Sequence, residues 1–222
     1  MRKIIVTIIS GLLFYSTSVF AEVGVNIGVS GTMGIFGATG KETHSVDSGA
    51  AAGNTAEDTE IAAVGYGSVF LEKEFGMFAI GVDYVPTPLS TDSVETAKTD
   101  KRTENSDAAT KGENKVQVDF EDLYTVYVSM KISENGYIRA GAVAVDVITN
   151  ESLNTGATYG NTSLDGTVVG FGYNHDMDNG FFVRLEGNYM QFDGTSLTSG
   201  DNTVSLKNLD GATGSLSIGK SF

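Results

Sequence analysis

The chain between residues 166 and 192 alternates bulky apolar residues with small or polar ones. Because residues two apart share one face of a β-strand, this alternation predicts two strands, each with one bulky apolar face. The stretch from Asp176 to Gly180 predicts a tight turn between them, since Asn and Gly tolerate the positive φ of a short hairpin. The bulky apolar positions are Val169, Phe171, Tyr173, Val183, Leu185 and Tyr189.

The opposite face of this hairpin carries charged residues in mid-strand, Arg184 and Glu186. A soluble sheet would bury its apolar face against a second layer, whereas a membrane barrel turns that face to lipid and its polar face inward. Aromatic residues near the strand ends favour the second arrangement, because girdles of aromatic residues mark the membrane interfaces. We therefore predict a transmembrane β-barrel, which must close on itself because hydrocarbon does not tolerate an open sheet edge.

The same alternation recurs along the chain and predicts an all-β, up-and-down antiparallel barrel of eight strands. Tight turns at 73–76, 133–136 and 176–180 alternate with long polar stretches that we interpret as loops. This asymmetry is typical of outer-membrane barrels, in which the short turns are periplasmic and the long loops extracellular. The predicted strands are 23–36, 61–72, 77–85, 116–132, 137–148, the two hairpin arms and a last strand ending at Phe222, and the predicted loops are 37–60, 87–114, 149–165 and 193–202.

In the second and fourth strands, the alternation predicts which residues lie on the apolar face. In the second strand, Val64, Tyr66 and Phe70 share the apolar face, and glycines occupy the other. In the fourth strand, Asp122 falls on the apolar face. A carboxylate there is tolerable only where the strand has already risen beyond the lipid.

The fifth strand has two possible phases. One turns Tyr137 to lipid together with Val143, Val145 and Val147, and the other turns Arg139 inward with Gly141. A β-bulge near Ala142 would allow both, because an extra residue exchanges the two faces of a strand.

The first 21 residues predict a secretory signal peptide. Arg2 and Lys3 form a charged start, an apolar segment follows, and Ala21 provides a small residue for cleavage. The apolar segment is short for a retained membrane-spanning helix. We therefore expect cleavage near Ala21 and a barrel domain over residues 22–222 in the outer membrane of a Gram-negative cell.

The chain is acidic and contains no cysteine. It has 28 acidic and 14 basic residues, for a net charge of −14, so nucleic-acid binding is not expected. Acidic loops could contact lipopolysaccharide through divalent cations, or could simply confer solubility. Without cysteine, no disulfide or thiolate site is available.

The sequence offers little for catalysis or metal binding. The two histidines, His44 and His175, lack a recognisable nucleophile pattern around them. Asp176, Asp178 and Asn179 begin like a cation loop but lack its glycine and its distal glutamate. We therefore predict no enzyme activity, no catalytic or metal site and no cofactor.

Several short motifs resemble the eight-stranded outer-membrane barrels, a group that includes the transmembrane domain of outer membrane protein A, the small X-type barrels and the opacity-like porin-fold proteins. The resemblance covers the whole mature chain. The motifs are Arg184-Leu185-Glu186 followed by Tyr189, Tyr137-Ile138-Arg139-Ala140-Gly141, Gly81-Val82-Asp83-Tyr84 and the terminal Phe222.

The resemblance implies an interior charge cluster of Arg139, Arg184 and Glu186, with Asp83 as a candidate partner. It also implies that Phe222, with Ile218 and Leu216 on the same face, forms the signal read by the barrel-assembly machinery. Lys220 departs from the aromatic or apolar residue that the family has two places before the end.

These observations predict an integral outer-membrane barrel with a role in envelope integrity or in surface interaction through its loops. Its partners would be outer-membrane lipids, lipopolysaccharide, the assembly machinery and an unidentified surface ligand. Two alternatives stay open: a small porin-like diffusion channel, and an adhesin or receptor that binds a partner through loops 37–60 and 87–114.

Overall fold

The described part of the chain, in a computed structural model, is a single antiparallel sheet that closes into a ring. The predicted signal peptide lies outside the described residues. Within them, the sheet has eleven strands and contains no helix long and apolar enough to cross a membrane. The structure describes residues 24–44, 55–91, 94–100, 110–152, 158–199 and 202–222. The strands are β1 (Val25–His44), β2 (Thr55–Phe75), β3 (Phe78–Tyr84), β4 (Leu89–Ser90), β5 (Val94–Asp100), β6 (Thr110–Lys131), β7 (Gly136–Ser152), β8 (Thr162–Asp176), β9 (Phe181–Phe192), β10 (Thr195–Ser199) and β11 (Asn202–Ser221).

The pairing order confirms the predicted eight-membered barrel. Strands β3, β4 and β5 all pair with β6 and form one member of the ring, while β9 and β10 both pair with β11 and form another. The first and last strands close the ring through an antiparallel ladder that runs from Asn26 opposite Ser221 to His44 opposite Asn202. The fold is therefore an all-β antiparallel barrel with eight wall members.

The short turns lie where the sequence predicts them. Gly76 and Gly180 have φ values of +64° and +80°, a conformation that glycine adopts without steric cost. In the second of these turns the backbone N–H of Met177 donates to the carbonyl of Phe181 at 2.8 Å. Both turns join consecutive strands at the same end of the barrel.

The outer face of the barrel is apolar and exposed, as predicted for β1, β3, β8, β9 and β11. Met33 is 78% exposed and Phe171 is 69% exposed, although both are large apolar residues. Their alternating neighbours point inward, and Val168 and Phe182 are each 1% exposed. A closed ring that exposes its large apolar side chains has the architecture of a membrane-spanning barrel.

The wall strands are longer than the alternation predicts. The predicted loop 37–60 is wrong at both ends, because β1 continues to His44 and β2 begins at Thr55. Strand pairing likewise extends into the predicted loops 87–114, 149–165 and 193–202. Backbone ladders continue there without an apolar face, since both faces can meet water once the strand has left the lipid. The rest of each predicted loop lies outside the described residues.

A β-bulge at Asp122 corrects the predicted faces of the fourth strand. Glu121 pairs with Asp146 and Tyr124 with Ala144, so β6 contains one residue more than β7 between these two pairs. Asp122 has a φ of +50°. On the short-turn side of the bulge (below it), Tyr127 points inward. On the other side (above it), Phe120 packs against the interior apolar cluster. The single phase predicted from residue 116 to residue 132 is therefore wrong above the bulge.

The unshifted pairing of β7 with β8 and the burial of its inward residues settle the phase of the fifth strand. The predicted bulge near Ala142 is absent, because β7 pairs with β8 without a register shift over the paired residues 136–147. Tyr137 is 7% exposed and Arg139 is 8% exposed, so both point inward. The alternative that turned Tyr137 and the three valines to lipid is wrong. The inward valines are Val143, Val145 and Val147.

The predicted apolar face of the second strand is also reversed. Phe70 is 4% exposed inside the barrel, and the half-buried Tyr66 shares its face, while Gly65 and Gly67 face outward. A Cβ atom on Gly28 would lie 2.4 Å from Cζ of Phe70, so the ring fills the space that the glycine of β1 leaves. Filling the barrel interior with large side chains decided the phase of this strand.

Candidate functional site: the closed barrel interior

The centre of the barrel holds a bidentate ion pair between Arg184 of β9 and Glu72 of β2. Nη1 and Nη2 of Arg184 donate to the two carboxylate oxygens of Glu72, each at 2.7 Å. Both residues are buried, with exposures of 7% and 3%. The sequence motifs identified Arg184 as an interior residue but missed Glu72, whose signal was its position two residues after the inward Phe70.

A second buried ion pair joins Arg139 of β7 to Glu186 of β9. The guanidinium of Arg139 donates through Nη1 to Oε1 of Glu186, and the phenol of Tyr137 donates to the other oxygen. Arg139 also lies over the ring of Tyr127, with 3.7 Å between its Cζ atom and the ring centroid. The structure thus brings three of the four predicted cluster residues, Arg139, Arg184 and Glu186, into two ion pairs.

Tyr127 links the two ion pairs into one network, because its hydroxyl binds Glu72 while its ring lies against the Arg139 guanidinium. The phenol of Tyr127 donates to Oε1 of Glu72 at 2.8 Å, and Nδ2 of Asn26 donates to Oε2 at 3.3 Å. Nδ2 of Asn188 donates to Oε1 of Glu186 at 2.8 Å. Because a buried charge is costly unless it is paired and hydrogen-bonded, this network allows four charges to remain in the barrel interior.

Asp83, the fourth predicted member, lies beside the network. Its side chain accepts a hydrogen bond from Ser68 Oγ at 3.1 Å. Within the described part of the chain it forms no ion pair, so the predicted pairing of Asp83 with an arginine is not seen.

A small polar cavity lies next to Asp83 and Arg139. Its volume is about 30 Å³, and three buried polar atoms near it have no hydrogen-bond partner among the described residues: Nε of Arg139, Oδ1 of Asn188 and Oγ1 of Thr213. A water molecule needs about 10–15 Å³ of such volume and two or more polar partners. The cavity therefore suits one or two water molecules.

An apolar cluster fills the barrel interior between this network and the end opposite the short turns. Leu164 and Val143 are each 2% exposed. Together, the network and the cluster occupy the described part of the interior. The buried cluster consists of Val85, Leu123, Val143, Val145, Val147, Leu164, Val168, Met190 and Phe192.

The predicted assembly-signal residues lie on the outer face of β11 and at its end. Leu216, Ile218 and Phe222 are 53%, 56% and 52% exposed. The backbone N–H of Phe222 donates to the carbonyl of Val25 at 2.9 Å, so the terminal residue takes part in ring closure. Nζ of Lys220 lies 5.6 Å from the ring centroid of Phe222, which keeps this cation over an aromatic face.

Comparisons with known proteins give similarities of fold alone. No protein-family model matches the chain, and no curated protein matches it. Ail, the attachment invasion locus protein of Yersinia pestis, is 15% identical, with 88% of this chain and 99% of that chain covered and a TM-score of 0.36. Neisserial surface protein A is 11% identical, with 86% and 97% covered and a TM-score of 0.36. The outer membrane protease OmpT of Escherichia coli is 8% identical, with 93% and 99% covered and a TM-score of 0.46.

Proposed function

We propose that this protein is an integral barrel of the Gram-negative outer membrane that does not conduct solutes. Its role would be envelope integrity or surface interaction, exerted through the part of the wall beyond the lipid. The observation that carries this proposal is the closed interior, in which two ion pairs and an apolar cluster occupy the lumen. The apolar outer face supports the location, since closed barrels of this kind are characteristic of outer membranes.

The interior argues against the diffusion-channel alternative. A conducting path needs continuous water, and the polar cavity beside Arg139 is only about 30 Å³. Eight strands enclose a space that side chains can fill completely. Because Arg184 and Glu72 join opposite parts of the wall, opening a path would require breaking a buried bidentate pair.

The long strands favour a role outside the lipid. A membrane-spanning β-strand needs about 9–11 residues, whereas β1 has 20 and β6 has 22. The exposed end of β2 carries Glu57, Asp58 and Glu60. In the adhesin or receptor alternative, the binding surface would thus include the strand ends within the predicted loops 37–60 and 87–114.

We also propose partners at the membrane itself. Outer-membrane lipids and lipopolysaccharide would surround the apolar face, and the barrel-assembly machinery would read the C-terminal strand that ends in Phe222. The exposure of Leu216, Ile218 and Phe222 on one face supports the second proposal, because a recognition signal must be accessible. No enzyme activity and no cofactor are proposed.

Planar-bilayer recording tests the closed lumen. The wild-type protein should leave the membrane current at background, and so should the double variant Glu72→Ala/Arg184→Ala, because the apolar cluster still fills the lumen beyond the network. That variant empties the centre of the network and removes both members of the bidentate pair. Recovery of heat-modifiable protein from the bilayer sample checks that both proteins are folded. Stepwise currents from the wild type would overturn the proposal.

A further inference from the structure

Lys220 of β11 carries a cation on the face of the barrel that otherwise meets lipid. It pairs with Ile27 of β1 and Phe181 of β9, which are 50% and 41% exposed, so its side chain points outward with theirs. Nζ of Lys220 lies 4.9 Å from the ring centroid of Phe181 and 5.6 Å from that of Phe222. Among the described residues, Lys220 forms no ion pair. Because aromatic girdles mark the membrane interfaces, this ammonium lies at the depth of the lipid headgroups.

The outer face at the short-turn end is basic, although the chain as a whole has a net charge of −14. In the strands at this end, the described ionisable side chains that point outward are Lys73, His175 and Lys220. The carboxylate of Glu74 points inward instead, where it accepts a hydrogen bond from Nδ2 of Asn26 at 2.9 Å. A basic surface at headgroup depth is complementary to the phosphate of an anionic lipid.

An apolar groove lies farther along the same outer face. It has a volume of about 560 Å³ and is lined by residues of β1, β8, β9 and β11. Gly187 and Gly214 pair with each other on its floor, and a Cβ atom on Gly214 would meet no atom within 4 Å. Phe171 and Met33 pair with these two glycines from the flanking strands and form the side walls. The groove is therefore open to the lipid and wide enough for a hydrocarbon chain.

The distance between Lys220 and the groove matches one leaflet of a membrane. Leu216 lines the groove and lies four residues before Lys220 on β11. At about 3.3 Å per residue, this separation is about 13 Å along the strand. The hydrocarbon core of a bilayer is about 30 Å thick, so the acyl chains of one leaflet extend about 15 Å. A lipid whose phosphate meets Lys220 can therefore place an acyl chain in the groove.

We propose that Lys220 and this groove bind one anionic phospholipid of the periplasmic leaflet. The ammonium pairs with the lipid phosphate, and one acyl chain lies over Gly214 and Gly187. Phosphatidylglycerol has the required net negative charge, whereas phosphatidylcholine carries the same phosphate but is neutral overall. This inference rests on the proposed location in the outer membrane and names a lipid class and its position on the wall.

Native mass spectrometry of the full protein in detergent micelles tests the headgroup contact. The probes are phosphatidylglycerol and phosphatidylcholine with identical acyl chains. The wild type should bind its first phosphatidylglycerol about fivefold more tightly than phosphatidylcholine, the effect of one lysine near an anionic headgroup. Lys220→Gln should lose most of this preference and bind phosphatidylcholine as the wild type does. Lys131→Gln is the matched control, because Nζ of Lys131 contacts Oε2 of Glu74 at 3.0 Å on the inner face at the same end. It should keep the preference.

Gly214→Leu tests the acyl-chain contact. The open space above Gly214 accepts a larger side chain without a clash, so the variant fills the groove and leaves the wall intact. It should weaken the binding of both lipids at least threefold. Gly65→Leu is the matched control, since Gly65 also faces outward but does not line the groove, and a Cβ atom there would lie 3.8 Å from the nearest atom. It should change lipid binding less than twofold.

Equal affinity of the wild type for the two lipids would overturn the proposal, and this measurement needs no variant. Equal losses in Lys220→Gln and Lys131→Gln would also overturn it, because they would show that any lysine at this end attracts the lipid. Unchanged lipid binding by Gly214→Leu would overturn the assignment of the acyl chain to the groove. None of these results affects the closed lumen, which the bilayer recording tests separately.

Discussion

Arg184 and Glu72 lie 112 positions apart in the sequence and share two hydrogen bonds of 2.7 Å across the barrel interior. Each residue belongs to a different part of the wall, β9 or β2, so the pair fixes the distance between them. The guanidinium also lies near three aromatic rings, of Phe70, Tyr137 and Phe182, at 5.1–5.3 Å from their centroids. The pair therefore ties the charged network to the aromatic side chains that fill the barrel.

Removing one member of this pair should destabilise the barrel strongly. Glu72→Gln leaves the Arg184 charge buried without its counter-charge, and breaking a buried pair in this way costs about 3–5 kcal/mol. The double variant Glu72→Leu/Arg184→Met should recover most of the loss, because it leaves no unpaired charge. Urea unfolding in detergent, followed by circular dichroism and gel mobility, measures the free energy of unfolding. Equal stability of the wild type and Glu72→Gln would contradict the assigned pairing.

The bulge residue Asp122 should tolerate glycine better than alanine. Its φ of +50° lies in the left-handed region, where a Cβ costs roughly 1–2 kcal/mol. Asp122→Ala should therefore lower the free energy of unfolding by about that amount relative to Asp122→Gly. Both variants lose the 3.0 Å hydrogen bond from Tyr84 Oη, so Tyr84→Phe measures that contribution separately. A more stable alanine variant would mean that this strand has no bulge in solution.

Phe222→Ala, which keeps the backbone hydrogen bonds to Val25, should slow assembly more than it lowers stability. The terminal ring is 52% exposed on the outer face, so little packing is lost, while the proposed recognition signal is removed. The fraction of heat-modifiable protein in outer-membrane preparations measures assembly, and unfolding in detergent measures stability. Phe222→Tyr, which keeps an aromatic terminus, is the matched control. Normal assembly of Phe222→Ala would show that recognition lies elsewhere.

Most of the outer face could be predicted from the sequence because lipid imposes a simple requirement on it. Every second residue of β1, β8, β9 and β11 must be apolar where the wall crosses the membrane, and the alternation of Val169, Phe171 and Tyr173 shows this directly. The short turns were equally local, since glycine supplies the positive φ that they need. The interior positions of Arg139, Arg184 and Glu186 followed from family resemblance.

The interior could not be predicted in the same way, because the orientation of its side chains depends on contacts with residues that are distant in the sequence. Phe70 points inward because Gly28 on the adjacent strand leaves room for its ring, and Glu72 was missed because its partner Arg184 is remote in sequence. The phase of β6 changes at Asp122, where one extra residue exchanges the faces. The length of the strands beyond the lipid was also not predicted, because backbone pairing in water does not require apolar residues at alternate positions. The sequence thus determined most of the outward-facing residues, while the tertiary structure decided the phase of β2, the change of phase in β6 and what fills the lumen.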